Sequence, residues 1–189
     1  MTNPRDARLE ALIARLTGLW EYKCVATSPT LYEENQRARG GRMVIRVRRT
    51  WVGVVADIEG ERLWVSTEED KEERRTGLPT GVSWGADGGV VILNGRLWFK
   101  YAGRDLTKGW TADTFEIDKN TLHLGEGQFV HLREDGGLVS GTVTLRKMDN
   151  PLDLKWAPDE VFSGEELVAM ARAEPDWAAN PVVAIGESS

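Results

Sequence analysis

The chain has 189 residues, 41% of them hydrophobic and 29% charged, with a formal net charge of −6, one cysteine, two histidines and eight tryptophans. That length supports one domain with a full core. The acidic balance argues against general nucleic-acid affinity, which depends on clustered Lys and Arg meeting phosphates, and no apolar run approaches the roughly 20 residues of a membrane-crossing helix.

Leu9, Leu12, Ile13 and Leu16 recur at helical spacing with Arg8, Glu10 and Arg15 between them, which predicts a short opening helix. Pro4 suits its first turn, Asn3 or Thr2 can cap it, and Gly18 stands where a C-terminal cap belongs. From residue 19 the period becomes 2. Trp20, Tyr22, Cys24 and Ala26 fall on one face of a strand, and Glu21 and Lys23 on the other. After Gly40-Gly41, Met43, Ile45 and Val47 alternate with Arg42, Val44, Arg46 and Arg48. A run from Trp51 to Asp57 and another from Arg62 to Ser66 read as a hairpin across Glu59-Gly60.

Residues 67 to 80 carry no apolar periodicity and read as a long exposed loop. Further turns are expected at Asp87-Gly88-Gly89 and at Asn94-Gly95, the latter between Val90–Leu93 and Arg96–Tyr101. Asn-Gly is the strongest of these signals, because both central residues of the tight turn need positive φ. The pattern continues through Trp110 to Ile117, a turn at Asp118-Lys119-Asn120, Leu122 to Leu124, Gln128 to Arg133, a turn at Asp135-Gly136-Gly137, and Leu138 to Leu145. About ten short strands result. The sheet signal stops at Asp149-Asn150-Pro151, and Ser163-Gly164-Glu165-Glu166 is a capping box that predicts a second helix ending before Pro175. The residues from Ala178 on read as a loosely held tail.

Strands in hairpin succession, without helices between them, cannot build a parallel sheet, and an open antiparallel sheet would leave exposed edges. The expected fold is therefore mainly β: an antiparallel up-and-down β-barrel of about 8–10 strands with a short N-terminal helix and a C-terminal helix. Residues 1–148 would form the barrel with its helix, and residues 149–189 a C-terminal extension with a short helix and a tail.

The segment Leu16-Thr17-Gly18-Leu19-Trp20, a Gly-x-Trp after a short helix and at the start of the first strand, resembles the opening of lipocalin and calycin barrels. The final strand, Ser140-Gly141-Thr142-Val143-Thr144-Leu145-Arg146, followed by a helix, is similar to the way such barrels close, with a basic residue over the Trp. The resemblance spans roughly residues 5 to 148 in layout. It implies a small barrel plugged at one end by Trp20, with a ligand cavity at the other.

Candidate chemistry follows from single residue types. His123 and His131 lie on adjacent expected strands and would meet across a hairpin, but a metal site would need Glu126 or Glu116 as a third ligand, and no metal-ligand spacing supports one. Cys24 shares the face of Trp20 and Tyr22, where a thiol is inert without an electropositive neighbour. No phosphate loop is present: Gly81-Val82-Ser83-Trp84-Gly85 and Gly125-Glu126-Gly127 lack the strand-to-helix context that such loops need. The basic strand carrying Arg46, together with Arg96, Trp98 and Lys100, offers cations and an aromatic ring to a planar or anionic ligand, if that face turns inward. If it turns outward, these groups are an ordinary solvated face with Trp98 covered by aliphatic stems.

The tryptophans divide into a plug, Trp20, five on or beside strands, Trp51, Trp64, Trp84, Trp98 and Trp110, and two that would fasten the C-terminal segment, Trp156 and Trp177. The leading expectation is a cytoplasmic, non-catalytic barrel that binds a small planar or anionic molecule, with Arg46, Trp51, Trp64, Trp84, Arg96, Trp98 and Lys100 at the ligand. No cofactor, metal, nucleic acid or membrane is expected, and a homodimer is compatible with this reading. The N-terminus leads into a charged amphipathic segment rather than an apolar signal core, and the lone Cys24 agrees with a reducing compartment. Two alternatives stand beside it: an interaction module using the C-terminal helix and tail or a strand edge, and a small barrel enzyme of isomerase or lyase type.

Overall fold

The computed structural model describes residues 4–27, 36–67, 77–104, 110–132, 136–150 and 153–156. The expected C-terminal helix, the tail and Trp177 lie outside the described residues. Helix α1 (Pro4–Leu16) precedes eight strands: β1 (Gly18–Ala26), β2 (Gln36–Thr50), β3 (Gly53–Thr67), β4 (Gly77–Leu93), β5 (Arg96–Gly103), β6 (Trp110–Ile117), β7 (Gly127–Leu132) and β8 (Leu138–Lys147). Every strand pairs antiparallel with its sequence neighbours, and β1 pairs with β8, so the sheet closes into a barrel. None of these eight strands lies at an edge of the sheet, which removes the template for edge pairing that an open sheet would present.

Eight strands replace about ten because two expected turns lie within strands. Gly60 sits in the middle of β3, opposite Met43 and Trp84, and Gly88-Gly89 sits in β4, opposite Ala56 and Val55. Neither site has a positive φ. Each glycine instead makes room: a Cβ on Gly60 would overlap the Trp84 indole, and one on Gly88 would overlap Tyr101 and the Lys100 carbonyl. A glycine inside a strand marks such close approach as readily as a turn. The first hairpin of the long strands is at Trp51-Val52, between Thr50 and Gly53. Thr67 and Gly77–Thr80, placed in a loop by the sequence pattern, belong to β3 and β4, and Leu122–Leu124 contributes a single bridge, Ile117 to Leu124. Asn94 and Gly95 take φ of 50° and 72° in a two-residue turn between Leu93 and Arg96, as their chemistry requires.

Alternation turns one residue set of each strand inward. Met43, Ile45, Val47, Ile58, Phe99, Phe115, Ile117 and Leu145 fill one half of the interior with Trp20, and Leu12 and Leu16 of α1 lie over it. Trp20 is buried and donates its indole N–H to the Leu16 carbonyl at 2.9 Å. Lys147 lies over its ring, with Nζ 5.6 Å from the centroid, and donates to the Ala14 and Arg15 carbonyls at 3.2 and 2.8 Å. The helix C-terminus is therefore capped by a cation from the last strand. Gly18 itself opens β1 with φ of 135°. The basic residue at the plug is Lys147; Arg146, next to it, points to the outer wall.

The outer wall carries a second polar knot. Glu21 is fully buried there, and its carboxylate accepts from Arg146 Nε at 2.9 Å and from the backbone N–H groups of Lys155 and Trp156 at 2.9 and 2.8 Å. Arg146 also binds the Asp153 carboxylate and carbonyl. Beside this knot Leu154 and Trp156, together with Ala38, pack on Leu63 and Trp64, so Trp156 fastens the segment after β8 to the barrel.

Candidate functional site

In the half of the interior away from α1 the inward-facing residues change character. The row Tyr22, Gly41, Arg62 and the pair Cys24, Arg39 come from β1, β2 and β3. The row Tyr101, Asp113, Phe129, Gly141 comes from β5 to β8. Thr111 and His131 are paired one step further along, and Trp84 enters from β4 through the space that Gly60 leaves. Solvent contact rises along this axis. Met43, Ile45, Phe99 and Phe115 are 0% exposed, Tyr22, Cys24, Tyr101 and Asp113 are each 5% exposed, and Arg39, Trp84, Thr111 and His131 are half-buried. The polar groups thus stand between a sealed apolar floor and the strand ends at Ala26, Gly103, Leu132 and Leu138.

The aromatic rings form a connected stack. Trp84 lies over Tyr101 with centroids 6.4 Å apart and planes at 16°, Tyr101 follows onto Phe115 at 6.1 Å and 24°, and Tyr22 meets Trp84 edge-on at 5.5 Å. The Trp84 indole N–H donates to the Tyr22 hydroxyl at 3.1 Å. On the other side, the Arg39 guanidinium sits 5.7 Å from the Phe129 ring centroid and is hydrogen-bonded to the Cys24 thiol. His131 Nδ1 and Thr111 Oγ1 are 2.6 Å apart.

Asp113 is the group that costs most to place here, since a carboxylate loses hydration on burial. Burial pushes its pKa from 3.8 up to about 6, against the lowering influence of the Tyr101 hydroxyl and Arg39. Its Oδ1 is buried and has no hydrogen-bond partner among the described residues. Burial also pushes the Cys24 thiol up to about 12, against the lowering pull of Arg39, and holds the Tyr22 and Tyr101 phenols well above their usual value. Cys24 is thus a neutral thiol near neutral pH, and the arrangement is suited to hydrogen bonding and stacking.

Of the residues expected at a ligand, Trp84 alone lies in this interior group. Arg46 is on the outer wall, paired with Glu59 at 3.1 Å, and Arg96 is there too, paired with Glu116 at 3.2 Å. Trp98 and Lys100 alternate with the inward Phe99 and so face outward, the ammonium 6.0 Å from the indole centroid. Trp64 is buried in the outer cluster under Trp156. Trp51, at the β2–β3 turn, is 96% exposed and borders an open depression of about 730 Å³ on the outer wall with Arg48, Val55, Asp57 and Asp87. Trp110 opens β6. His131 lies beside the Thr111 end of β6, whereas His123 is exposed next to Leu124 at the Ile117 end; six residues of strand, about 20 Å, separate the two ends. Among the described residues no group of three His, Cys, Asp or Glu side chains could hold a metal, and no helix is long and apolar enough to cross a membrane.

The residues missed from sequence carried a legible sign. Arg39 is in phase with Met43, Ile45 and Val47, Asp113 with Phe115 and Ile117, and His131 with Phe129. A charged residue in register with the core face is the mark of a polar interior. Searches with the chain against protein-family models, curated proteins and solved structures returned no match.

Proposed function

We propose that the protein is a lipocalin-like barrel of the cytoplasm that binds a small planar molecule in its interior without transforming it. The observation that carries this reading is the buried carboxyl of Asp113, set with Arg39, Cys24 and Tyr101 beyond a floor that is already well packed. A barrel stabilised only by its core gains from apolar residues at these positions, because a buried ionisable group lowers stability unless it is fully paired. Trp84 and Tyr101 supply flat apolar surface, and a few placed polar groups fix orientation, which is the usual composition of a small-ligand site. The plug of Trp20, Leu12 and Leu16 leaves the opposite strand ends as the way in.

Native mass spectrometry of the protein purified from its own host tests the reading. The expected result is a retained small molecule that is lost on denaturation and absent from an Asp113→Leu, Trp84→Ala double variant that stays folded. A protein that comes through empty and gives no ligand-induced shift in melting temperature across a library of planar compounds overturns it.

A further inference from the structure

The chemical class of the ligand follows from a buried acceptor in the barrel interior that no group among the described residues serves. Buried polar atoms in folded proteins are almost always hydrogen-bonded, and an unmatched one calls for an explanation. Asp113 Oδ1 is such an atom: a carboxylate oxygen on a residue 5% exposed, with no partner among the described residues, in the polar half of the barrel interior. The Tyr101 hydroxyl, the nearest neighbouring donor on β5, is already hydrogen-bonded to the same carboxyl group. Phe129 and Gly141 extend the row and offer this oxygen no side-chain donor. Arg39 reaches the site from the other side, where it lies over the Phe129 ring and bonds the Cys24 thiol.

We infer that the ligand presents a hydrogen-bond donor, an amino or ring N–H on a flat heteroaromatic body, to Asp113 Oδ1 while the body lies against the aromatic stack. This rests on the ligand-binding reading above and narrows it, since an acceptor-only carboxylate oxygen repels an anionic head and selects N–H over bare ring edge. Arg46, Arg96 and Lys100 are paired or stacked on the outer wall, and the interior cations are already engaged, Arg39 with the Phe129 ring and the Cys24 thiol and Arg62 beside the Tyr22 phenol. A site with an unmet acceptor also rejects the analogue that lacks the donor, because the oxygen then stays buried and unpaired.

Isothermal titration of the full chain with quinoline, 2-aminoquinoline and quinoline-2-carboxylate, near neutral pH, separates the outcomes. The expected result is binding of the aminoquinoline at least roughly tenfold tighter than quinoline, as for one hydrogen bond to a charged group, with the carboxylate weakest. The preference should vanish in Asp113→Val and shrink in Asp113→Asn, which keeps a carbonyl acceptor. Equal binding of amine and parent in the wild-type chain overturns the inference while leaving the ligand-binding reading in place, and so does a preference that survives both substitutions. Tighter binding of the carboxylate overturns it in favour of recognition led by Arg39. If none of the three binds, the inference falls, and the ligand-binding reading stands or falls by the native mass spectrometry and the compound library.

Discussion

Replacing Asp113 by Asn should stabilise the protein, and by an amount that depends on pH in a defined way. The pKa of the carboxyl is raised from 3.8 to about 6 in the folded chain, chiefly by burial. The native state therefore holds this proton more tightly than the unfolded chain does, and between these two values unfolding releases a proton. Stability from this group is fully present below 3.8 and is lost as pH rises through about 6. With each unit of pKa equivalent to about 1.4 kcal/mol, ionised Asp113 costs the fold about 3 kcal/mol at pH 7. The Asn side chain resembles the protonated acid and has no such cost. Urea unfolding of both proteins at pH values from about 4 to 8 gives the difference directly, because every other titrating group cancels between them. The expected gap is near zero at the acid end and grows to about 3 kcal/mol in favour of Asn at neutral pH. A gap that is flat with pH, or that widens toward acid, refutes the argument that a buried, incompletely served carboxyl stands in the barrel.

Three further outcomes test other parts of the structure. Gly60→Ala places a methyl against the Trp84 indole and should cost about 1–3 kcal/mol in denaturant unfolding, with a change in tryptophan emission, as overpacking does. Trp51→Ser removes a ring that is 96% exposed and should change stability by no more than about 0.5 kcal/mol by the same measurement. Glu21→Ala strips the partner from Arg146 and from two backbone N–H groups; a loss of about 3–5 kcal/mol is expected, together with faster amide exchange at Lys155 and Trp156.

The β architecture was readable because its signals are local. Period-2 alternation in Trp20 to Ala26 and in Met43 to Val47, and the Asn94-Gly95 turn, depend on neighbours along the chain. Gly60 and Gly88-Gly89 misled because the same residue serves two ends: a turn needs glycine for its backbone, whereas here the requirement comes from Trp84 and Tyr101 on neighbouring strands, which only the register brings together. The site was partly legible for the same reason. Conspicuous clusters, Arg46 and Arg96 with Trp98 and Lys100, drew the reading to the face where charge is inexpensive. Arg39 and Asp113 were single charges in phase with apolar residues, 74 positions apart in the numbering, and their joint meaning exists only once β2 and β6 face each other across a closed barrel.

The carboxylate of Glu21 bears on where the protein can be cut. A fragment ending at residue 148 would keep the whole β ladder and still lose the two N–H groups that Glu21 needs, while uncovering Leu63 and Trp64 on the outside of the barrel. A stretch that keeps these contacts runs at least to Trp156. A tag, reporter or tether joined directly after Trp156 leaves the knot whole and begins beside it, on the flank of the barrel and not at the mouth through which a ligand would enter.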